Sequence, residues 1–418
     1  MSKDNDFAHE NIAVIGAGII GLSSALWLQK AGYKVTIIDR QSPGEGASFG
    51  NAGVMANFSC LPFTRFKMLP KIPKLLANAN SPLSISKHYI PEMLPYGWHY
   101  MKSCFRYKHS RQALTNLQSK AFESDQVLLN MTSGQSLIHK GGCLALFASQ
   151  ESIEKAKTGD MLERQNLGVN LSFVDHHQVK ELEPALQPFY AGGVYYPDTR
   201  FTVSPIQLSH CYAKYFVENG GKIIKDQVNR VKCENNGVSV QTTTETHYFD
   251  RLVIAAGSAS KKLIDQLGCK LPLVSERGYH IMIRSDNPTR LTRPVAWLDK
   301  SVFLSPIEES MRLAGMAEFA HIDAPATKLR IDNLKAQAKE MLGDDIEYSS
   351  EWFGSRPATP DTIPIIGHLP SNDKVTLAFG HGHIGLTLSA VTGRLVSELV
   401  QGVTACVDPT PFSPKRFL

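Results

Sequence analysis

The chain has 418 residues, 43% hydrophobic and 20% charged, which is enough for a large core and for two domains. A formal net charge of +5 is too mild to point to nucleic acid, and no apolar run reaches the roughly 18 residues a membrane span needs. Seven scattered cysteines form no Cys-x-x-Cys pair, so no metal site and no disulfide framework is expected, and a reducing, cytoplasmic setting is.

The chain starts with a polar, partly acidic stretch, Met1–Glu10, which lacks the basic and apolar regions of a secretory signal. The run Ile12-Ala-Val-Ile then reads as a buried parallel strand leading into Gly16-Ala-Gly18-Ile19-Ile20-Gly21. Gly16 allows a tight turn, Gly18 lets the backbone approach a pyrophosphate, and Gly21 lets the following helix pack close to the strand. That helix is expected to end at Gly32, and a second strand, Lys34 to Ile38, ends on Asp39. An acid roughly 20 residues past the glycines is placed to accept hydrogen bonds from a ribose. Strand, helix, strand and acid in this order predict a dinucleotide site. Asp39 disfavours a 2′-phosphate, while Arg40 beside it keeps one open; the unit alone does not separate NAD from FAD.

Gly44 to Gly53 is a loop dense in small residues. Its backbone N–H groups and Ser48 suit a phosphate, and Asn51 suits a ring system; the alternative is a flexible surface loop. From Cys60 to Arg111 six prolines alternate with leucines and aromatics, and nine Lys or Arg oppose one acid, Glu92. This stretch carries +8, leaving −3 for the rest. It reads either as a segment that docks on an anionic membrane surface or as an insertion with a solvated basic face.

Helical patterns follow at Leu117 to Met131 and Ile153 to Asn166. Ser204-Pro205 predicts an N-cap and a helix to about Gly220. Lys222 to Asp226 and Gly237 to Thr243 read as strands, as does Asp250 to Gly257, an apolar run ending in glycine. Arg277 to Ile283 and Val302 to Pro306 suggest sheet, and Lys328 to Leu342 a helix stopped by Gly343. Gly354 to Gly367 is expected to be a rigid, turn-rich segment. Val375 to Phe379 is a short strand, and Gly380-His381-Gly-His383-Ile384-Gly385 opens a helix closed by Gly402. A glycine-rich loop at that helix start offers a second point for an anion or an electron-rich ring edge.

In this order these pieces resemble the D-amino-acid oxidase-like flavoprotein family, in particular its bacterial D-amino-acid dehydrogenases (small-subunit type) and D-hydroxyproline dehydrogenases. The likeness rests on the N-terminal glycine motif, Ser48 to Gly53, Leu252 to Gly257, the Gly-x-Arg-Pro-x-Thr-Pro-Asp pattern around Arg356, and the Gly380 to Leu386 loop. It implies an α/β fold: a Rossmann-like, glutathione-reductase-like FAD-binding domain and an α+β substrate domain on an antiparallel sheet. The implied boundaries are 1–60, 198–272 and 355–418 for the first domain, and 61–197 and 273–354, with the basic insertion, for the second.

The resemblance further implies that FAD is held by Gly16, Gly18, Ile19, Ile20 and Gly21, with Asp39 and Arg40 near the adenosine ribose. Val228 would set its backbone against adenine, and Ala256 and Gly257 would border the cofactor. Ser48, Asn51, Ala52 and Gly53 would lie on one side of the flavin. Gly380, His381, Ile384, Gly385, Leu386 and Thr387 would lie at its N1–C2=O edge. Arg356 is implied to bind an amino-acid carboxylate; a surface ion pair is the plain alternative. His383 stands where glycine oxidase-like members have a second Arg, and is either a substrate contact or a structural histidine. Tyr279 and His280 either line the pocket or are ordinary strand residues. The implied reaction is dehydrogenation of a D-amino acid or cyclic imino acid, with a quinone or the respiratory chain as acceptor. Peripheral contact with the inner face of the cell membrane is expected to accompany it. An oxygen-using glycine or sarcosine oxidase, a nicotinamide-dependent dehydrogenase and a flavin-holding subunit of a larger complex are the alternatives.

Overall fold

The computed structural model describes residues 10–284 and 291–418; Met1–His9, most of the polar start read above, lie outside the described residues. Asn11–Ile15 is a central strand of a six-stranded sheet. Its order is Lys222–Lys225, Lys34–Asp39, Asn11–Ile15, Arg251–Ile254, Asn372–Phe379 and Ile365–Leu369. All pairings are parallel except the last. The central strands are near-continuous apolar runs because both faces are covered. On one face Ile12 and Val14 pack with Leu22 and Leu26 of the Ile19–Lys30 helix, Phe216 of Pro205–Glu218, and Leu388 and Leu395 of Gly385–Gln401. On the other, Ala13 and Ile15 meet Val231 and Val240 of a three-stranded antiparallel sheet over 228–249.

A second, nine-stranded sheet is mostly antiparallel. At its edge lies Tyr348–Ala358, then Val274–Arg284, then Ser310–Phe319. Alternation along Val274–Arg284 sets the site. Tyr279, Ile281 and Ile283 pack on Ile331, Leu334 and Ala338 of the Lys328–Leu342 helix. Glu276, Gly278 and His280 therefore share the opposite face.

Several expectations change. Gly354–Ala358 is not a turn but the end of an eleven-residue strand, with the turn confined to the residues after it. Pro357 is tolerated there because the strand is at the sheet edge, where a missing N–H costs no ladder bond. The expected helix over 117–131 is two, Tyr107–Ser119 and Ala121–Met131. Their Leu114, Leu117, Leu128 and Leu129 join the core of the first sheet, not that of the second. The helical pattern at 153–166 is likewise broken, at Gly159.

The basic insertion is ordered around a sixteen-residue helix, Ile90–Phe105. Tyr96 is buried on its inner face and packs with Tyr89, Val274 and Ala358. Ile90, Leu94, Trp98, Met101 and Phe105, spaced to form one stripe, are exposed; Leu94, Trp98 and Phe105 are 69, 63 and 79% exposed. No helix among the described residues is long and apolar enough to cross a membrane.

Candidate active site

The glycine turn is demanded by close backbone approach. Gly16 has φ +114°, and a Cβ there would lie 2.7 Å from the Ala255 carbonyl carbon; one at Gly21 would lie 2.9 Å from that of Gly16. Gly18 caps the Ile19–Lys30 helix in an extended conformation with no side-chain cap, and no acid occupies the first turn. The Ile19 N–H donates to Ser48 Oγ at 3.0 Å. Ile20 is half-buried behind it. Asp39 Oδ2 accepts from the Ala17 N–H at 2.6 Å and Oδ1 from the Gln41 N–H at 2.9 Å, which fastens the acid to the turn. Arg40 is exposed. An uncapped helix start, a small-residue turn and an adjacent carboxylate form a cradle that fits the pyrophosphate and ribose of FAD.

Two further loops face each other across this region. The Ala56 N–H donates to Thr387 Oγ1 at 2.9 Å, tying the Ser48–Gly53 side to the Gly385–Gln401 helix. Ile384 and Leu386 are buried apolar anchors, and Gly380 has φ +83°. This helix too has no side-chain cap and no acid in its first turn, which suits the electron-rich edge of a flavin. The Asn51 side chain is turned into its own loop, where Oδ1 accepts from the Gly53 N–H at 2.8 Å, so that oxygen is not directed at a ring. His381 is buried with Nε2 2.8 Å from Thr392 Oγ1, and burial pulls its imidazole down to about 3. Only its backbone is available to a cofactor. Val228 begins the three-stranded sheet and packs against that sheet's apolar face; Ala256 and Gly257 follow the Arg251–Ile254 strand half-buried.

Arg312, Trp352 and Glu276 were not assigned from sequence. Arg312 Nη1 donates to the carbonyls of Phe49 and Asn51 at 2.6 and 2.8 Å and so holds the loop from the second sheet; burial lowers its guanidinium to about 10. His280 stacks on Trp352 at 5.2 Å and is buried, and burial and then Arg312 hold it at about 3. It is a neutral wall residue, not a surface open to substrate. Tyr279 points the other way. Its hydroxyl bonds Glu318 and accepts from the Thr327 N–H at 3.1 Å, under the Lys328–Leu342 helix. Strand parity, readable from Glu276-Arg-Gly-Tyr-His280, separates Tyr279 from its neighbours and would have found Glu276.

The titratable cluster lies on the face left free. Arg356 pairs in register with Glu276, and its Nη1 donates to Glu276 Oε1 at 3.2 Å and to the Met316 carbonyl at 3.0 Å. Met316 adopts φ +65° beside a bulge that adds one residue to its strand. His383 Nε2 contacts the same Glu276 oxygen at 2.7 Å. Burial alone would raise the Glu276 carboxyl, but His383 and Arg356 outweigh it and hold it at about 2. The guanidinium lies over Gly278, where a Cβ would overlap Cζ and Nη2. Any residue larger than glycine there would displace the guanidinium.

The insertion forms the roof. Phe63 lies 5.6 Å from the His383 ring, and its N–H donates to Thr362 Oγ1 at 3.2 Å. Tyr96 donates to the Thr359 carbonyl at 3.2 Å and Tyr100 to that of Phe63 at 3.3 Å. Arg65 forks onto Asp160 at 2.8 and 3.1 Å. One side of the segment is packed over the site, while Lys67, Lys71, Lys74, Lys87, Lys102, Arg106 and Lys108 are exposed on the other.

Comparison with known proteins agrees with this geometry. Residues 11–399 match the family described as DAO, FAD dependent oxidoreductase. The chain is 33% identical to a D-amino-acid oxidase of Bradyrhizobium diazoefficiens over 98% of this chain and 99% of that one. It is 28% identical to a D-amino acid dehydrogenase of Vibrio atlanticus over 97% and 100%. Its fold matches glycine oxidase from Geobacillus kaustophilus with a TM-score of 0.76 at 22% identity, covering 98% and 99% of the two chains. It matches L-proline dehydrogenase from P. horikoshii with a TM-score of 0.74 at 18% identity, covering 98% of each. The mixed α/β fold, the glycine cradle and a family match over nearly the whole chain make this protein a member of the FAD dependent oxidoreductase (DAO) family.

Proposed function

We propose that the protein oxidises D-amino acids or cyclic imino acids, D-proline and cis-4-hydroxy-D-proline among them, at Cα. The observation that carries this reading is Arg356, fixed through Nη1 over Gly278 with the rest of its fork making no hydrogen bond among the described residues. A planar guanidinium fits a carboxylate with two parallel hydrogen bonds. The names of the two similar curated proteins support the substrate class. In this reading Gly16, Gly18 and Gly21 with Ile19 and Ile20 at the helix start, and Ser48 which the Ile19 N–H meets, cradle the pyrophosphate and Asp39 holds the ribose. Val228 backs the adenine, Ala256 and Gly257 border the cofactor, and the ring lies between 51–53 and 380–387. Among the described residues the FAD-binding domain is 10–60, 107–131, 198–272 and 355–418, and the others form the substrate domain. Bound FAD supplies the two-electron oxidant. Arg356 orients the substrate beneath the Phe63–Tyr100 roof, so most of the catalysis is positioning. The test is anaerobic flavin bleaching over D- and L-amino acids, including both hydroxyproline series. D-series and cyclic substrates are expected to bleach the flavin; bleaching by L-amino acids alone, or by none, overturns the reading.

The exposed stripe on Ile90–Phe105 favours a second element. We propose that this helix rests on the anionic inner face of the cell membrane and that a quinone of the respiratory chain takes the electrons. Each Lys or Arg of the +8 segment near such a surface contributes on the order of 1 kcal/mol, screened by salt. Flotation with anionic vesicles, release by salt, and loss of flotation in Leu94→Glu/Trp98→Glu are expected; equal binding to neutral vesicles, or none to either, refutes it.

A further inference from the structure

Glu276, which holds Arg356, also forms a carboxylate–imidazole pair with His383, and holding Arg356 does not require that imidazole. Glu276 is buried and ionised, so it only accepts hydrogen bonds, and the His383 nitrogen 2.7 Å from it, Nε2, carries the ring proton. That leaves Nδ1 as the basic nitrogen, and it makes no hydrogen bond among the described residues. The ring is 42% exposed, at the mouth of the site under Phe63. Because Glu276 Oε1 also meets Arg356 Nη1, His383 Nε2 and that nitrogen lie within about 6 Å of each other. One α-amino acid spans such a gap, carboxylate on Arg356 and amino group toward the imidazole. Among the described residues the charged groups facing His383 are Glu276, from Val274–Arg284, and Arg356 behind it, from Tyr348–Ala358. Phe63, from the insertion, adds no charge.

We propose that His383 Nδ1 is the general base that removes a proton from the substrate's α-ammonium, with Glu276 as its positioning residue. The inference rests on the Arg356 anchoring reading. An ammonium has no lone pair, and loss of hydride from Cα needs one to form C=N. In the step one N–H bond breaks, its electron pair stays on nitrogen, and the proton passes to Nδ1. Nothing is oxidised or reduced. The imidazolium formed faces the Glu276 carboxylate, which neutralises it.

The test compares pH profiles of kcat/KM for flavinated wild type, His383→Asn and Glu276→Gln. General base catalysis contributes about 10² to 10⁴-fold. His383→Asn is expected to lose at least about 10²-fold at pH 7 and less than about tenfold near pH 10, where the free amine is abundant in solution. Glu276→Gln should follow the same pattern with a smaller loss, since its amide still accepts from Nε2. A loss in His383→Asn that is the same at every pH, or under about threefold at pH 7, overturns the proposal. Binding of 2-furoate, a carboxylate without an amine, is read by the flavin spectrum. It should be unchanged in His383→Asn and weakened in Arg356→Ala. Unchanged 2-furoate binding in Arg356→Ala defeats the anchor reading, whatever the pH profiles show.

Discussion

Replacing Gly278 with alanine adds one methyl group beneath the guanidinium of Arg356. The new Cβ would overlap Cζ and Nη2 and lie 2.7 Å from Nη1, against 3.4–4 Å for ordinary contact. Gly278 is in regular strand pairing with Gly354 and needs no left-handed backbone, so the strand accepts alanine. The obstacle is the end of a flexible side chain, which retreats by about 1 Å or more. A 1 Å misplacement of a positioning group costs on the order of 10²-fold. We expect Gly278→Ala to keep full flavin content and a Tm within a few degrees of wild type, and to lose about 10² to 10³-fold in kcat/KM for amino-acid substrates. The assay is anaerobic stopped-flow flavin reduction against substrate concentration, with Tm and the flavin spectrum as controls. A folded, flavinated Gly278→Ala enzyme with kcat/KM near wild type would show that the position of Arg356 over Gly278 does not matter to the reaction.

Gly18→Val should purify folded but colourless: its Cβ would meet only Ser48 Oγ, at 3.3 Å, yet the branched side chain fills the space of a pyrophosphate. Full flavin content in that variant would refute the cradle. Tyr279→Phe should lower Tm by a few degrees through the lost Glu318 and Thr327 contacts, worth roughly 1–3 kcal/mol. It should leave kcat/KM within about threefold, because the hydroxyl faces away from the site; a larger kinetic loss would return Tyr279 to the pocket. Glu276 has its folded carboxyl lowered to about 2 against an unfolded value of about 4.3. Its contribution to stability is therefore present above pH ~4.3 and lost as pH falls toward 2. Glu276→Gln should flatten the acid limb of Tm against pH in that window, and an unchanged limb would contradict the ion-pair assignment.

The first sheet was legible because its signals are local. The apolar run before Gly16, the helix after it, Asp39 at the next strand's end and the Gly380–Gly402 helix each lie within a short window. The second sheet was legible only in pieces, at Arg277 to Ile283 and Val302 to Pro306, because the pairing of its strands is long-range. Nothing near Tyr348 in the sequence announces that Gly354–Ala358 will pair with Val274–Arg284. Arg356 and His383 were named from sequence; that both would meet on Glu276 was not foreseen, since the meeting depends on a register between strands 80 residues apart. Of the two readings open for Tyr279, the pocket and an ordinary strand position, strand parity favours the second, since its hydroxyl meets Glu318 and Thr327. The packed side of the insertion was hidden by its basic surplus, most of which lies on exposed residues.

Pro357 follows Arg356 on the sheet edge, where its ring costs no hydrogen bond. A residue before proline is barred from much of the helical region even in the unfolded chain. Arg356 is therefore already biased toward extended backbone before the strand forms, and gives up less conformational entropy when it does. Glu276 and the Met316 carbonyl then restrict the guanidinium itself. The anchor is ordered in two stages, one covalent and one by folding, so little of a substrate's binding free energy is diverted to arranging it.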